Sequence, residues 1–291
     1  MGWRTVVVEK PSKLELRMGY LVVRDAESTV RVHLGEISVL IIENTASSVT
    51  SALISELTRQ KIKVIFCDEK RNPSSEIIPL YGCHNCSLIL KKQLEWESEQ
   101  KKLVWTAIVA EKIRQQAVNL SFFNLPQVEL LYKYIDEIEF NDESNREGHA
   151  AKVYFNALFG KSFFRDDECP VNAALNYGYS ILLSCFNREI VGSGYLTQLG
   201  LFHDNMFNQF NLSCDIMEPF RPIIDRRVRL LFPEKFETEE KREMLTVLND
   251  EFLIDGRKQT LLNAVRIYTK SVLDSIEQGD ISCIKTYSYE L

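Results

Sequence analysis

Thr5-Val6-Val7-Val8, Lys13-Leu14-Glu15-Leu16-Arg17, Tyr20 to Val23, Thr29 to His33 and Ser38 to Ile42 follow one another in the opening of the chain, and they set its fold class. The first run is β-branched, and the second alternates apolar and polar side chains with period two. The others recur at spacings of about ten residues, divided by polar or glycine-containing turns. Runs this short form a compact sheet or sandwich, because no single strand can bury its own apolar face.

Outward from these strands the pattern changes twice. Ser48 to Gln60 carries Val49, Ala52, Leu53 and Leu57 at helical spacing, and Lys63 to Cys67 returns to strand character. Arg71-Asn72-Pro73-Ser74-Ser75, with Pro79 and Gly82, then collects turn formers and reads as an irregular crossing. Beyond it the chain turns helical. Val104, Ala107, Ile108 and Glu111 keep a helical rhythm, as do Leu261, Val265, Tyr268, Val272 and Ile276, while Met244, Leu245, Leu248 and Phe252 mark a further amphipathic helix. The expectation is an α+β chain: a β-sandwich-like N-terminal domain over residues 1–70, a linker over 71–92, and an all-α domain over 93–291.

The 291 residues carry 35 Lys and Arg against 41 Asp and Glu, a net charge of −6, and 45% are apolar. This composition excludes a disordered chain. The mildly acidic balance means that any nucleic-acid contact must come from local basic patches. The most apolar window, Val171 to Phe186, is interrupted by Asn172 and Asn176 and is shorter than the ~20 residues that a membrane-spanning helix needs. Met1-Gly2-Trp3-Arg4 leads into strand-like sequence with no export signal. Seven scattered cysteines read as reduced thiols of a cytoplasmic protein.

Four stretches carry candidate chemistry. Cys83-His84-Asn85-Cys86 is a CxxC, but no second ligand pair follows at zinc spacing and no strand-to-helix setting suggests redox work, so incidental thiols are expected. Ser144 with Glu147 three residues later is a capping box for a helix. Glu147, Ala151, Tyr154 and Leu158 nevertheless fall at steps of four, three and four. They place a carboxylate on a buried stripe, where it needs a cation. The register alone leaves cap and ligand equally open.

His203 lies among Phe202, Met206, Phe207 and Phe210, which favours a hydrogen-bonded core histidine over a ligand. Asp215 and Glu218 share a face if helical, or simply favour a helix start ahead of Pro219. Arg221 to Arg229 holds four arginines and Asp225. It is either a solvated helix face or a grip on phosphate beside acids that hold a cation.

Together these stretches resemble one family. Glu147-Gly148-His149-Ala150-Ala151 with Tyr154-Phe155, Asn176-Tyr177-Gly178-Tyr179, Gly200-Leu201-Phe202-His203, and Asp215-Ile216-Met217-Glu218-Pro219-Phe220-Arg221-Pro222 occur in the order of the CRISPR-associated spacer integrase and endonuclease, the larger protein of CRISPR adaptation. Gly2-Trp3-Arg4-Thr5-Val6-Val7-Val8, and Ile65-Phe66-Cys67-Asp68 with Lys70, resemble its type II branch. The resemblance implies a dimerising N-terminal β domain, a helical catalytic domain, and a homodimer. Two such dimers would be bridged by a dimer of the small adaptation protein into a heterohexamer, with further adaptation factors of that branch.

It further implies Mg²⁺ or Mn²⁺ on Glu147, His203 and Glu218, supported by Asp215. Glu218 stands where many relatives have aspartate. The implied reaction inserts short double-stranded DNA at a CRISPR repeat by 3′-hydroxyl trans-esterification, with His203 neutral. Arg146, Lys152, Arg221, Arg226 and Arg227 are the candidate phosphate contacts, by proximity in sequence. Two alternatives stand beside this reading: a stand-alone structure-specific metal nuclease, and a catalytically silent DNA-binding scaffold.

Overall fold

The central strand of the N-terminal unit explains its layering. Ile37–Ile42 (β5) is buried at five of its six positions, as expected of a parallel strand covered on both faces. It lies between Arg4–Val8 (β1) and Lys63–Cys67 (β7), both parallel to it, and Pro73–Glu76 (β8) adds an antiparallel edge to β7. Lys13–Arg17 (β2), Tyr20–Arg24 (β3) and Thr29–His33 (β4) form an antiparallel meander, extended by Ser48–Val49 (β6) beside β2. Helix Ser51–Arg59 (α1) crosses from β6 to β7. Val8, Leu14, Leu21, Leu40, Leu53, Leu57 and Val64, from both sheets and α1, meet in one core. In this computed structural model the described residues are 2, 4–79 and 84–289.

The chain divides into two units, Met1–His84 and Asn85–Leu291. The segment read as a linker therefore contains structure: β8 and most of Cys86–Leu94 (α2) lie within 71–92. Of the Cys83/Cys86 pair, Cys83 falls outside the described residues and Cys86 opens α2.

The second unit is helical, as expected. Ser98–Phe122 (α3), Val128–Asp136 (α4), Arg146–Phe159 (α5) and Pro170–Gly192 (α6) are followed by Asn211–Met217 (α7), Arg221–Leu231 (α8), Thr238–Leu245 (α9) and Leu261–Gln278 (α10). Pro170 starts α6 at a position where its missing N–H costs nothing, and Gly279 ends α10 in the left-handed region at φ 67°. Gly178 lets α6 approach its neighbours closely. A β-carbon there would sit 2.5 Å from Ile224 Cγ2 and 2.9 Å from Met244 Cε. No helix is long and apolar enough to cross a membrane among the described residues.

The unit also carries a small sheet. Glu251–Ile254 (β9) pairs antiparallel with Arg257–Thr260 (β10) and with Tyr287–Ser288 (β11). The helix expected from Met244 to Phe252 accordingly stops at Leu245, and Phe252 packs from strand β9 instead. Asp255 and Gly256 form the turn, both with positive φ (53° and 70°). That is the Asp-Gly hairpin connection, whose twist matches the flanking strands.

Candidate active site

Helix α5 begins in a way that frees Glu147. Asn145 takes the left-handed conformation (φ 51°), and its Oδ1 accepts from the Gly148 amide at 3.2 Å. Asp142 accepts from the amides of Arg146 (2.7 Å) and Glu147 (3.0 Å). These two side chains satisfy the orphan donors of the first turn. The Ser144–Glu147 capping box does not form, and Ser144 Oγ turns to the Glu137 carbonyl at 3.4 Å. The Glu147 side chain reaches α3, where Lys112 Nζ donates to Oε1 at 2.6 Å.

Glu218 meets it there. Between α7 and α8, Glu218–Phe220 is a 3₁₀ turn with a proline in it, and Glu218 is buried. Its Oε2 lies 2.5 Å from the same Lys112 Nζ, and its Oε1 lies 2.9 Å from Arg221 Nε. Burial would lift the Glu218 carboxyl, but Arg221 and Lys112 outweigh it and hold it below its ordinary range. Burial also penalises the Lys112 ammonium, and Glu218 with Glu147 more than compensates, so its pKa lies above the ordinary value.

His203 is held by Asp215. Asp215 is fully buried and accepts from three successive amides: Leu201 (2.6 Å), Phe202 (3.0 Å) and His203 (3.2 Å). The same carboxylate lies 2.5 Å from the Nδ1 atom of His203. This close approach needs Gly200, where a β-carbon would fall 2.3 Å from the His203 carbonyl oxygen and 2.8 Å from Asp215 Oδ2.

The aromatic setting is not the core that the sequence suggested. Phe202 stacks on Trp105 with ring centroids 4.6 Å apart, but Met206 and Phe207 are 87% and 86% exposed. The His203 side chain remains 41% exposed. Its hydrogen bond to Asp215 raises its pKa above 6.5 against the opposing effect of burial, and the charges of Asp215, Glu218 and Glu147 add to the rise.

Glu147, His203, Asp215 and Glu218 thus belong to one electrostatic cluster, with Lys112 and Arg221 as its cations. Among the described residues, no three His, Cys, Asp or Glu side chains stand close enough as placed to share one ion. The donor set nevertheless suits a hard dication. Two carboxylates converge on one cationic nitrogen, and Asp215 holds Nδ1 of an imidazole whose Nε2 remains for a ligand bond, the carboxylate–histidine pairing that orients metal-bound imidazoles.

Lys112 escaped the sequence reading. Its only signal is register: Ile108, Lys112, Gln115 and Asn119 fall at steps of four, three and four, and the other three are buried.

The candidate phosphate contacts divide. Lys152 is exposed. Arg146 pairs with Glu137 at 3.2 Å and lies over Tyr134. Arg221 lies over the Tyr179 ring, 4.7 Å from its centroid, and pairs with Glu218. Arg227 pairs with Asp250 at 2.6 Å and Glu243 at 3.1 Å. Arg226 lies between Tyr289 and Phe122, 3.5 and 4.3 Å from their ring centroids, and donates to Asn119 Oδ1 at 2.7 Å. Its guanidinium is engaged in packing.

Comparison with known proteins identifies the family of the chain. A model of the family "CRISPR associated protein Cas1" matches residues 5–263. A CRISPR-associated endonuclease Cas1 of Neisseria meningitidis serogroup C (strain 8013) is 33% identical over the full length of both chains. Among solved structures, a casposase bound to integration product shares the fold with TM-score 0.78 at 16% identity, covering 96% of this chain and 92% of that one. A Cas6-RT-Cas1–Cas2 complex superposes with TM-score 0.73 at 17% identity, covering 97% of this chain and 36% of the other. The family match and the full-length relative place this chain in the Cas1 family.

Proposed function

We propose that this chain is a metal-dependent DNA integrase and endonuclease of CRISPR adaptation, of the type II branch. It would insert short double-stranded DNA at a CRISPR repeat. The observation that carries this reading is the convergence of Glu147 and Glu218, from separate elements, on one cation position within an electrostatic cluster that includes His203. A relative of this length being named an endonuclease supports it. The sharing of a fold with a casposase bound to integration product is compatible with strand transfer on this scaffold.

Mg²⁺ or Mn²⁺ on Glu147, Glu218 and His203 would supply Lewis acidity to the phosphodiester and to the attacking hydroxyl. The protein's own side chains do the rest. Asp215 fixes the His203 ring and keeps Nε2 available. Arg221, partly exposed beside Glu218, is suited to a phosphate oxygen by its planar fork. The 3′-hydroxyl of the incoming strand gives its proton to solvent as its oxygen forms a new P–O bond, the bond from phosphorus to the 3′-oxygen of the target strand breaks, that oxygen takes up a proton from solvent, and no covalent enzyme intermediate arises. The protein would act in the cytoplasm as a homodimer, through its N-terminal unit, with the small adaptation protein bridging two dimers into a heterohexamer.

The test is a gel assay with the purified chain, its small partner, a short duplex and a supercoiled plasmid bearing a repeat. Divalent-metal-dependent nicking coupled to ligation of the duplex is expected. Glu147→Gln and His203→Ala should abolish joining and retain duplex binding. Hydrolysis without joined product would favour the stand-alone nuclease, and unchanged activity of both variants would favour the silent scaffold.

A further inference from the structure

A lysine ammonium within 2.6 Å of Glu147 Oε1 and 2.5 Å of Glu218 Oε2 occupies the point on which the two carboxylates converge. The Lys112 side chain is only 11% exposed, and its formal charges balance locally: Lys112 and Arg221 face Glu147 and Glu218. With Asp215 counted as well, a dication added to this group while Lys112 stays in place would still leave a net positive charge in a mostly buried space, where such an excess is penalised. Arg221 is a poor candidate to yield, because it holds Glu218 from the other oxygen and lies over Tyr179. Lys112 is the mobile member: its charge sits at the end of a four-carbon stem with several rotatable bonds.

We propose that Lys112 is a tethered cation that holds the Glu147–Glu218 pair in the metal-free protein and must vacate it for a divalent ion to bind. This rests on the metal reading given above. Two consequences follow from mass action. The metal-free carboxylates stay paired and pre-aimed, and the affinity for the divalent ion is reduced by the work of displacing the ammonium. An anion such as a DNA phosphate at the site would give the displaced ammonium a new partner, so duplex and metal bind with positive coupling.

The test measures Mn²⁺ binding to the full chain by the paramagnetic resonance signal of the free ion, with thermal melting alongside. Lys112→Met should bind Mn²⁺ roughly tenfold tighter than the wild type, within the usual range of coupling between competing ligands. It should also melt lower without metal and gain more from adding it. Equal or weaker Mn²⁺ binding by Lys112→Met overturns the proposal, whatever the metal-free melting.

His203→Ala and Glu147→Gln separate the two failures. If neither weakens Mn²⁺ binding, the metal reading itself is wrong. If both weaken it and Lys112→Met does not tighten it, only the tethered cation is wrong. Lysine acetylation of the wild-type protein, read by mass spectrometry, decides the matter should Lys112→Met fail to fold. Lys112 modification should rise several-fold on adding Mg²⁺, and no change at saturating metal overturns the proposal.

Discussion

His203 shows how much a single neighbour sets the state of a functional group. Its hydrogen bond with Asp215 favours the imidazolium and outweighs burial, which disfavours it. A histidine whose pKa is raised on folding adds stability below its unfolded value, near pH 6.5, and that contribution is lost as pH rises through the higher folded value. The ring therefore becomes neutral, and free to act as a ligand through Nε2, only at a higher pH than an ordinary imidazole would. In the metal-free protein, Asp215→Asn should move the His203 titration to lower pH, because burial remains and the main opposing cause is gone. Ring proton shifts followed by NMR across pH 5–9 read this directly, and an unmoved titration would show that Asp215 does not control the ring. It was the family resemblance, not the local pattern, that grouped Glu147, His203, Asp215 and Glu218 as one constellation. The sequence concealed Lys112, which sits in a lysine-rich helix with no local motif and is distinguished only by the buried stripe it shares.

Among the elements, legibility followed the strength of the local pattern. The five opening strands lie close to where alternation and β-branching put them, since each contributes side chains to one shared core. The cap of α5 moved, because Asn145 tolerates the left-handed backbone that lets Asp142 reach two amides, and a four-residue motif contains none of that geometry. Phe252 fits a helical tally only until the Asp255-Gly256 hairpin turn is given its weight. Gly178 stands in a motif of the resemblance, but its physical reason is the packing of α6 on Ile224 and Met244. Gly178→Ala gains helix propensity but forces a methyl to 2.5 Å from Ile224 Cγ2. Over-packing of this kind should destabilise the protein by about 1–3 kcal/mol, read as a lower denaturant midpoint at unchanged slope. A stable or more stable variant would mean that α8 and α9 yield easily.

At the scale of the whole molecule, a net charge of −6 sets the terms for binding a polyanion. Long-range attraction is weak, so under the proposed function DNA would have to be held by local cations, and most arginines near the site are already engaged. Arg146, Arg226 and Arg227 pair with acids or stack on rings, whereas Lys152 on α5 is exposed. Lys152→Ala should lower duplex affinity with little regard to sequence and reduce the slope of log K against log[salt] by about one. An unchanged slope in a salt titration would place the DNA elsewhere.

One carboxylate, that of Asp215, grips three consecutive amides and the imidazole that follows them. The backbone turn and the ring orientation thus share a single latch. Loosening this segment would withdraw the histidine along with it, because a pose that frees the ring also takes partners from the fully buried Asp215 carboxylate.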